Sequence, residues 1–266
     1  MKVAVTGARG TIGRALTRAL ADAGHQVRAI DRTGPDPVDT GDYPRLRDAV
    51  HGNDALIHLA GIPTPWHDPG HLVHNTNVTG SYNALSAATE CGIDRIVLAS
   101  SINAVGGAFS RRAHYDYFPV DETHPTYNED PYSLSKWIAE TQADSFARRH
   151  PDLTITSLRL HGATPDRATA AAHGTDPTMT VNHLWGYVRL DAVTQACLLA
   201  LHAPWTGHQV CNIVAPDTIT DTDSRTLAAR HYPDVPIRGD LDGRAGFYDC
   251  TKAKQLLGWT HPPATT

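Results

Sequence analysis

Short apolar runs alternate with segments of helical periodicity along most of the chain. The apolar runs have the length of strands and cover residues 2–6, 26–30, 55–59, 95–99, 154–158 and 209–214. Segments with apolar residues at helical spacing lie between them, most clearly at 11–23, 73–91, 132–150 and 190–201. Strands that alternate with helices favour right-handed crossovers and a parallel sheet covered by helices. We therefore predict an α/β fold with a doubly wound parallel sheet.

Two stretches depart from this alternation. Residues 161–185 are rich in Ala, Thr, His and Pro without a clear period, and residues 215–266 consist of short irregular pieces. We predict one unit over 1–266. Residues 1–160 and 186–214 form its main sheet, while 161–185 and 215–266 form a small lobe.

Composition places the chain among ordinary globular proteins and excludes several classes of partner. Of its 266 residues, 41% are hydrophobic and 19% are charged, and the formal net charge is -5. No run of basic residues exceeds the pair Arg111 and Arg112, which argues against a nucleic-acid partner. No apolar segment could span a bilayer, and Met1 and Lys2 lead directly into a strand, so we expect a cytoplasmic protein without a membrane partner.

Cysteine and histidine spacing predicts neither a disulfide framework nor a metal site. Four cysteines lie far apart in or beside apolar stretches, as expected of reduced core residues: Cys91, Cys197, Cys211 and Cys250. His67, His71 and His74 fall close to helical spacing, but no cysteine or carboxylate accompanies them at ligand spacing. We predict no bound metal.

A glycine-spaced turn joins the first strand to the first helix. Gly7, Gly10 and Gly13 follow the pattern Gly-x-x-Gly-x-x-Gly, and Thr11 and Ile12 begin the helix. Glycines permit a tight turn and close approach of the backbone, and free amides at a helix start can hold a pyrophosphate. The turn therefore indicates a dinucleotide site.

The residues after the second strand bear on which dinucleotide would bind. Asp31 closes that strand where a carboxylate would accept hydrogen bonds from the adenosine ribose, which favours NAD. Arg9 and Arg32 are placed to meet a 2′-phosphate, so NADP stays the alternative. Either arginine could equally be a solvated surface charge.

Candidate chemistry lies in a predicted helix and at the end of the fourth strand. Tyr132 and Lys136 stand one helical turn apart on the same face, where an ammonium beside a phenol makes the phenolate less costly. Such a phenol can transfer protons near neutral pH. Ser100 and Ser101 close the strand that precedes this helix.

With these motifs in order, the chain resembles the extended short-chain dehydrogenase/reductases, the NAD-dependent epimerase/dehydratase group. The resemblance covers nearly the whole length and extends to the fragments 54–61, 77–80, 98–101 and 256–259. Compact members such as the uronate and sugar dehydrogenases are the most similar. The resemblance implies a Rossmann fold with a small C-terminal substrate-binding lobe. It also implies a homodimer that pairs through the helices at 73–91 and 132–150.

The resemblance assigns roles to individual residues. Ser101 would bind the substrate oxygen, Tyr132 would transfer the proton, and Lys136 would bind the nicotinamide ribose and lower the tyrosine pKa. Besides the residues of the glycine turn, Asp31 and Arg32, the implied cofactor-binding residues are Asp39, Thr40, His58, Leu59, Ala60, Gly61, Asn77, Ala99, Ser100 and Arg159. Of these, Asn77 resembles a structural asparagine, and Arg159 could equally be an ion-pair partner.

Three functions stay open, and the first is favoured because the chain leaves little room for a lobe that grips a nucleotide sugar. They are an NAD(P)-dependent oxidoreductase acting on a secondary alcohol or carbonyl of a sugar or sugar acid, a nucleotide-sugar epimerase or dehydratase, and a non-catalytic dinucleotide sensor. The pair Tyr132 and Lys136 argues against the sensor. Predicted substrate contacts are Ser101, Ile102, Asn103, Arg167 and Trp185. Ile102 and Asn103 stand where uronate dehydrogenases have Asn-His, and Arg167 could meet a substrate carboxylate.

Overall fold

Six parallel strands form the central sheet of the protein. The computed structural model describes residues 1–174 and 176–262, and residues 175 and 263–266, which fall in the predicted lobe, lie outside the described residues. The sheet order is β2-β1-β3-β4-β5-β8. Its strands are β1 (Lys2–Thr6), β2 (Gln26–Ile30), β3 (Ala55–His58), β4 (Arg95–Ser101), β5 (Thr154–Leu160) and β8 (Gly207–Ile213). The predicted parallel α/β sheet is confirmed.

Nine helices and a short second sheet accompany these strands within the described residues. The helices are α1 (Thr11–Asp22), α2 (Tyr43–Val50), α3 (Gly70–Glu90), α4 (Pro131–Arg149), α5 (Arg167–His173), α6 (Pro177–Asn182), α7 (Leu190–Ala200), α8 (Ser224–His231) and α9 (Thr251–Leu257). A 3-10 helix covers Ile102–Val105, and β6 (Ala163–Thr164) pairs with β7 (Val188–Arg189). None of the helices in residues 1–174 and 176–262 could cross a membrane.

Two hydrophobic cores cover the two faces of the sheet. One face packs against α1, α7 and α9, and the other packs against α2, α3 and α4. The central strand β3 is buried at every position because it has helices on both sides. Cys197 and Cys211 are buried in the first core, and all four cysteines are free, as predicted from the sequence.

A third core forms beyond the carboxyl ends of the strands. It joins the 102–120 segment to Leu184, Trp185 and residues between 214 and 248. Residues 251–259 belong elsewhere: Leu257 and Trp259 are buried beside α7, and the Trp259 indole donates to the carbonyl of Ala192. The small lobe predicted for 215–266 therefore contains a segment whose apolar side chains pack in the main core.

The reversal of strand order lies between β1 and β3, since β2 follows β1 on one side and β3 lies on the other. Loops that leave β1 and β3 therefore diverge and leave a crevice at their carboxyl ends. The glycine turn and residues 59–62 lie at this crevice. The end of β4 and the start of α4 continue it.

Candidate active site

The glycine turn brings the backbone of β1 close to the loop after β3. Gly7 has a φ of +67, and a Cβ there would lie 2.8 Å from the backbone nitrogen of Ala60. A Cβ on Gly13 would collide with the carbonyl oxygen of Gly7, so this glycine permits close packing of α1 on the strand. No side chain caps α1, and no acidic residue lies in its first turn. Its first amides, including those of Thr11 and Ile12, are therefore available to an anion.

Asp31 lies at one end of the crevice and organises its edge. Its carboxylate accepts hydrogen bonds from the amide of Arg9 (2.9 Å) and from the amide and hydroxyl of Thr33 (3.0 and 2.8 Å). Burial raises the pKa of Asp31, but these hydrogen bonds outweigh burial and hold the pKa below its usual value. The Arg9 guanidinium packs over Gly34. Arg32 lines the same cavity, together with Asp39 and Thr40.

Tyr132, Lys136 and Ser101 meet at the other end of the crevice, in a cavity of about 390 Å³. Asp130 caps α4 by accepting hydrogen bonds from the amides of Tyr132 and Ser133, each at 2.9 Å, and Pro131 occupies the first helical position. The Lys136 Nζ lies 5.6 Å from the centroid of the Tyr132 ring. The three predicted catalytic side chains therefore lie together.

The pKa values of this pair differ from the sequence-based expectation. Burial raises the pKa of Tyr132 to about 12, and a hydrogen bond with Ser101 offsets this only in part. Burial likewise lowers the pKa of Lys136 to about 8. The Lys136 ammonium donates to the carbonyl of Ala99 at 2.8 Å instead of the phenol. In this structure, Lys136 therefore does not bring the pKa of Tyr132 towards neutrality.

A buried ion pair lies beneath these residues. Arg159 Nε and Nη2 donate to the two carboxylate oxygens of Glu140 at 2.9 and 2.8 Å, and the Ser100 hydroxyl donates to Oε1 of the same carboxylate. Arg159 is thus an ion-pair partner, the second of its two predicted roles. Its guanidinium does not line the crevice. Glu140 was not identified from the sequence, although it follows Lys136 at the same four-residue spacing that separates Tyr132 from Lys136 on α4.

Of the four predicted cofactor residues at 58–61, three line the crevice and one does not. Leu59, Ala60 and Gly61 line the crevice. The prediction for the His58 side chain is wrong, because its Nδ1 lies 2.8 Å from the Thr6 hydroxyl and the ring is buried between the sheet and α3. Burial lowers the pKa of His58 to about 3.

Asn77 holds the same loop in place. Its Oδ1 accepts a hydrogen bond from the amide of Ile62 at 2.7 Å, and its Nδ2 donates to the carbonyl of Ile62 and to the Ser135 hydroxyl, both at 3.0 Å. Because Ser135 lies on α4, Asn77 fixes the loop to the helix that carries Tyr132. This arrangement agrees with the structural role that the resemblance implies.

Two of the predicted substrate contacts lie away from the catalytic cavity. The Arg167 guanidinium donates to the carbonyls of Thr218 and Thr220 and pairs with Asp221 at 2.8 Å, so it holds a turn of the lobe. Trp185 is buried in the third core against His231 and Phe247. Neither is placed to contact a substrate beside Tyr132, because each satisfies contacts within the lobe.

Ile102 and Asn103 do line the catalytic cavity. Ile102 is buried in the third core, and the Asn103 side chain accepts a hydrogen bond from the amide of Ala108 at 3.2 Å. The Ser101 hydroxyl accepts a hydrogen bond from the amide of Asn103 at 3.2 Å. The segment after β4 therefore orients the serine that faces Tyr132.

Several cavity residues were not found by sequence reasoning. Among them are Trp66, Phe109, His161, Met179 and His183. His161 directly follows β5, and the carboxyl end of a strand at the crevice is a signal that could have identified it. Met179 lies on the short helix α6, and Trp66, Phe109 and His183 lie in irregular segments, so none of them has such a signal.

The fold and the site define an oxidoreductase-type dinucleotide-binding protein. The crevice lies at the switch point of a Rossmann sheet, and a serine, a tyrosine and a lysine meet at its far end. Within residues 1–174 and 176–262, no group of three His, Cys, Asp or Glu side chains could hold a metal ion.

Comparison with known proteins identifies the family. The model of the NAD dependent epimerase/dehydratase family matches residues 3–174. The chain therefore belongs to the NAD dependent epimerase/dehydratase family. This confirms the resemblance drawn from the sequence, the prediction of NAD at the level of the family, and the class of dehydrogenases, reductases and epimerases of the short-chain type.

Individual relatives differ in their named substrates. The chain is 33% identical over 173 residues to an L-arabinose 1-dehydrogenase (NAD(P)(+)) of Haloferax volcanii, covering 60% of this chain and 66% of that protein. It is 25% identical over 242 residues to a uronate dehydrogenase of Pseudomonas syringae pv. tomato, covering 87% and 80% of the two chains. The structure of MoeE5 in complex with UDP-glucose and NAD superposes with a TM-score of 0.74 at 24% identity, over 99% of this chain and 94% of that chain. This last likeness supports the fold.

Proposed function

We propose that the protein is an NAD(P)-dependent oxidoreductase. It transfers a hydride between nicotinamide and a secondary alcohol or carbonyl of a small polar substrate, a sugar or sugar acid, with Tyr132 as the general acid and base. One observation carries this proposal: the cavity at Asp31 and the cavity at Tyr132 share Leu59, Gly61 and Ile62 in their walls. A dinucleotide in this groove would extend from the carboxylate to the phenol.

The residues present fit such a cofactor. The backbone amides at the start of α1 would bind the pyrophosphate, Asp31 would accept from the adenosine ribose, and Lys136 would donate to the other ribose. The bound cofactor would supply the carbon that exchanges hydride with the substrate. The position of Lys136 beside the groove supports its contact with this ribose, since a Cβ on the groove residue Gly61 would lie 3.9 Å from the Lys136 Nζ.

Tyr132 supplies the proton step. With a pKa of about 12, its phenol is protonated at neutral pH, which is the form that donates a proton to a carbonyl oxygen during reduction. Oxidation requires the phenolate, which a positive charge held next to the ring would favour. Ser101 would bind the same substrate oxygen, because its hydroxyl contacts the phenol.

Replacement of Tyr132 by phenylalanine tests this function. We expect turnover to fall by about 10² to 10⁴-fold while the Kd for NAD changes less than about twofold. The measurement is cofactor absorbance with a panel of sugars and uronates, with NAD and NADP in parallel. Tyr82→Phe, at an exposed tyrosine on α3, is the matched control. Full activity of the Tyr132 variant would exclude this residue as the proton carrier.

The family name also supports epimerase or dehydratase activity on a nucleotide sugar. Such an enzyme regenerates its cofactor within each turnover, so no net reduced cofactor accumulates. Isomerised or dehydrated sugar nucleotide without net reduction would replace the first proposal by this one. A protein that binds NAD and converts neither substrate class would be a sensor.

Two further expectations belong to this proposal. Asp31 supports NAD as the cofactor, whereas Arg9 and Arg32 beside it support NADP as the alternative. We also propose a homodimer that pairs through the outer faces of α3 and α4. Tyr82 and Trp137 lie on these faces with 49% and 40% of their surface exposed.

A further inference from the structure

Two histidines line the catalytic cavity but not the cavity at Asp31. His161 follows β5 and His183 follows α6, and their rings contact at a centroid distance of 5.2 Å. The amide of Gly162 donates to His161 Nδ1 at 2.7 Å, so the proton of this ring resides on Nε2, which points to the carbonyl of His183 at 3.2 Å. His161 therefore has both ring nitrogens engaged and positions His183.

His183 differs from its neighbour because its ring is not satisfied. Its Nε2 is buried and has no hydrogen-bond partner among the residues that the structure describes. The residue lines both the catalytic cavity and the cavity next to it. Because Nε2 is closed to solvent, a ligand would reach this ring at Nδ1, for which the described residues provide no hydrogen bond either. Polar groups in native proteins usually have partners, so a cavity-lining ring with neither nitrogen paired points to a ligand at the accessible nitrogen.

The backbone around His183 is built to hold it. Leu184 and Trp185 follow with φ values of 55 and 52, in the left-handed region that side chains other than glycine rarely adopt. At Gly186, a Cβ would lie 2.8 Å from the His161 ring. The rings of Phe109 and His183 pack edge to face with centroids 5.8 Å apart, and Phe109 makes the same kind of contact with Tyr132 at 5.6 Å. His183 is thus fixed one aromatic ring away from the reacting phenol.

The charges that face this cavity select against an anion. Lys136 is the one cationic side chain among the described lining residues, and its ammonium is engaged by the Ala99 carbonyl at the reaction centre. Arg159 and Arg167 are held by carboxylates elsewhere. Burial lowers the pKa of His161 to about 4 and that of His183 to about 3, and among the described residues no carboxylate contacts either ring to oppose it. Both rings are therefore neutral at pH 7.

We propose that the imidazole of His183 binds an uncharged hydroxyl of the substrate, and that this cavity accepts neutral sugars in preference to uronates and sugar phosphates. The proposal rests on the proposed hydride-transfer function and specifies its substrate class. Apolar walls suit such a ligand, because Trp66, Phe109 and Met179 can pack on the C–H faces of a sugar ring. A carboxylate or phosphate beside His183 would be buried against two neutral rings, because the Lys136 ammonium is already engaged by the Ala99 carbonyl at the reaction centre.

The first test compares sugars that differ only at the primary alcohol. Glucose and galactose are each assayed with NAD and NADP beside the corresponding uronate and the phosphate ester of the primary alcohol. We expect kcat/KM for the neutral sugar to exceed that for either anion by at least about 100-fold. Equal or better turnover of an anion would overturn the proposal. Ligand-observed NMR of the same compounds with the NAD-loaded protein reports binding independently of turnover, with the same ranking expected.

The second test assigns the contact to His183. His183→Phe preserves the aromatic packing and should lower kcat/KM for the preferred sugar by about tenfold, mainly through KM, whereas His183→Gln keeps a hydrogen-bonding group and should retain most activity. Against the monodeoxy sugar that lacks the contacted hydroxyl, wild type and His183→Phe should perform equally. An equal loss on every monodeoxy sugar would show a structural role instead. His173→Phe, in the neighbouring cavity only, is the matched control.

These outcomes separate the proposal from the function on which it rests. If the oxidoreductase assignment is wrong, neither neutral nor anionic sugars reduce the cofactor, and the Tyr132→Phe variant differs from wild type in no sugar assay. If only the proposal is wrong, sugars are oxidised with dependence on Tyr132, but anions are preferred or His183→Phe has no selective effect.

Discussion

Glu140 and Arg159 form a buried ion pair that ties α4 to β5 directly below the reacting residues. Their side chains are only 7% and 8% exposed, and two hydrogen bonds of 2.8 and 2.9 Å join the guanidinium to the carboxylate. Glu140→Gln keeps the size of the side chain but leaves the Arg159 charge buried without its carboxylate. Removal of one partner of a buried pair costs about 3 to 5 kcal/mol.

An exposed ion pair of the same chemistry provides the comparison. Arg225 and Asp242 are 50% and 74% exposed, so Asp242→Asn should lower the free energy of unfolding far less than Glu140→Gln does, because solvent screens the charges. Urea unfolding at pH 7, followed by circular dichroism, measures both losses. The double variant Glu140→Leu with Arg159→Met should recover most of the stability, since it removes both buried charges.

Comparing the stability losses of Glu140→Gln and Asp242→Asn tests whether burial makes the Glu140–Arg159 ion pair strong. A loss for Glu140→Gln no larger than that for Asp242→Asn would refute the inference that burial makes the Arg159 pair strong. Failure of the double variant to regain stability would show that packing and the Ser100 hydrogen bond, and not the uncompensated charge, account for the loss.

Three other results are expected. Asp31→Ser should shift the kcat/KM ratio between NAD and NADP towards NADP by about tenfold or more, and an unchanged ratio would contradict the ribose contact. Burial lowers the pKa values of His58, His161 and His183 from 6.5 to about 3 to 4. The folded protein therefore keeps its full stability above pH 6.5, where these rings are neutral in both states. The free energy of unfolding then falls as the pH drops from 6.5 towards 3 to 4, because the unfolded chain binds protons first. Urea unfolding should show a loss of about 3 to 4 kcal/mol between pH 7 and pH 5.5 from these three rings, and His161→Gln should remove about a third of it. Trp137→Glu should convert a dimer into monomers in sedimentation velocity, and an unaltered sedimentation coefficient of a dimeric protein would place the interface elsewhere.

Local patterns were sufficient for the sheet, the glycine turn and the Tyr132–Lys136 pair. Strand and helix periodicity reflects burial of one face at a time, which neighbouring residues encode. The turn at Gly7 and the spacing on α4 depend on backbone conformation over fewer than ten residues. The sequence alone therefore determined the fold class and both ends of the groove.

Contacts between distant segments decided the rest. Glu140 on α4 pairs with Arg159 on β5, His58 on β3 contacts Thr6 on the adjacent strand β1, and Trp185 packs in the lobe core. His183 acquires its place from His161 and Phe109, which no spacing connects to it. Burial, which sets the pKa of Tyr132, likewise exists only once these segments pack together. Side-chain direction and desolvation are properties of the assembled chain, so only the tertiary structure could reveal them.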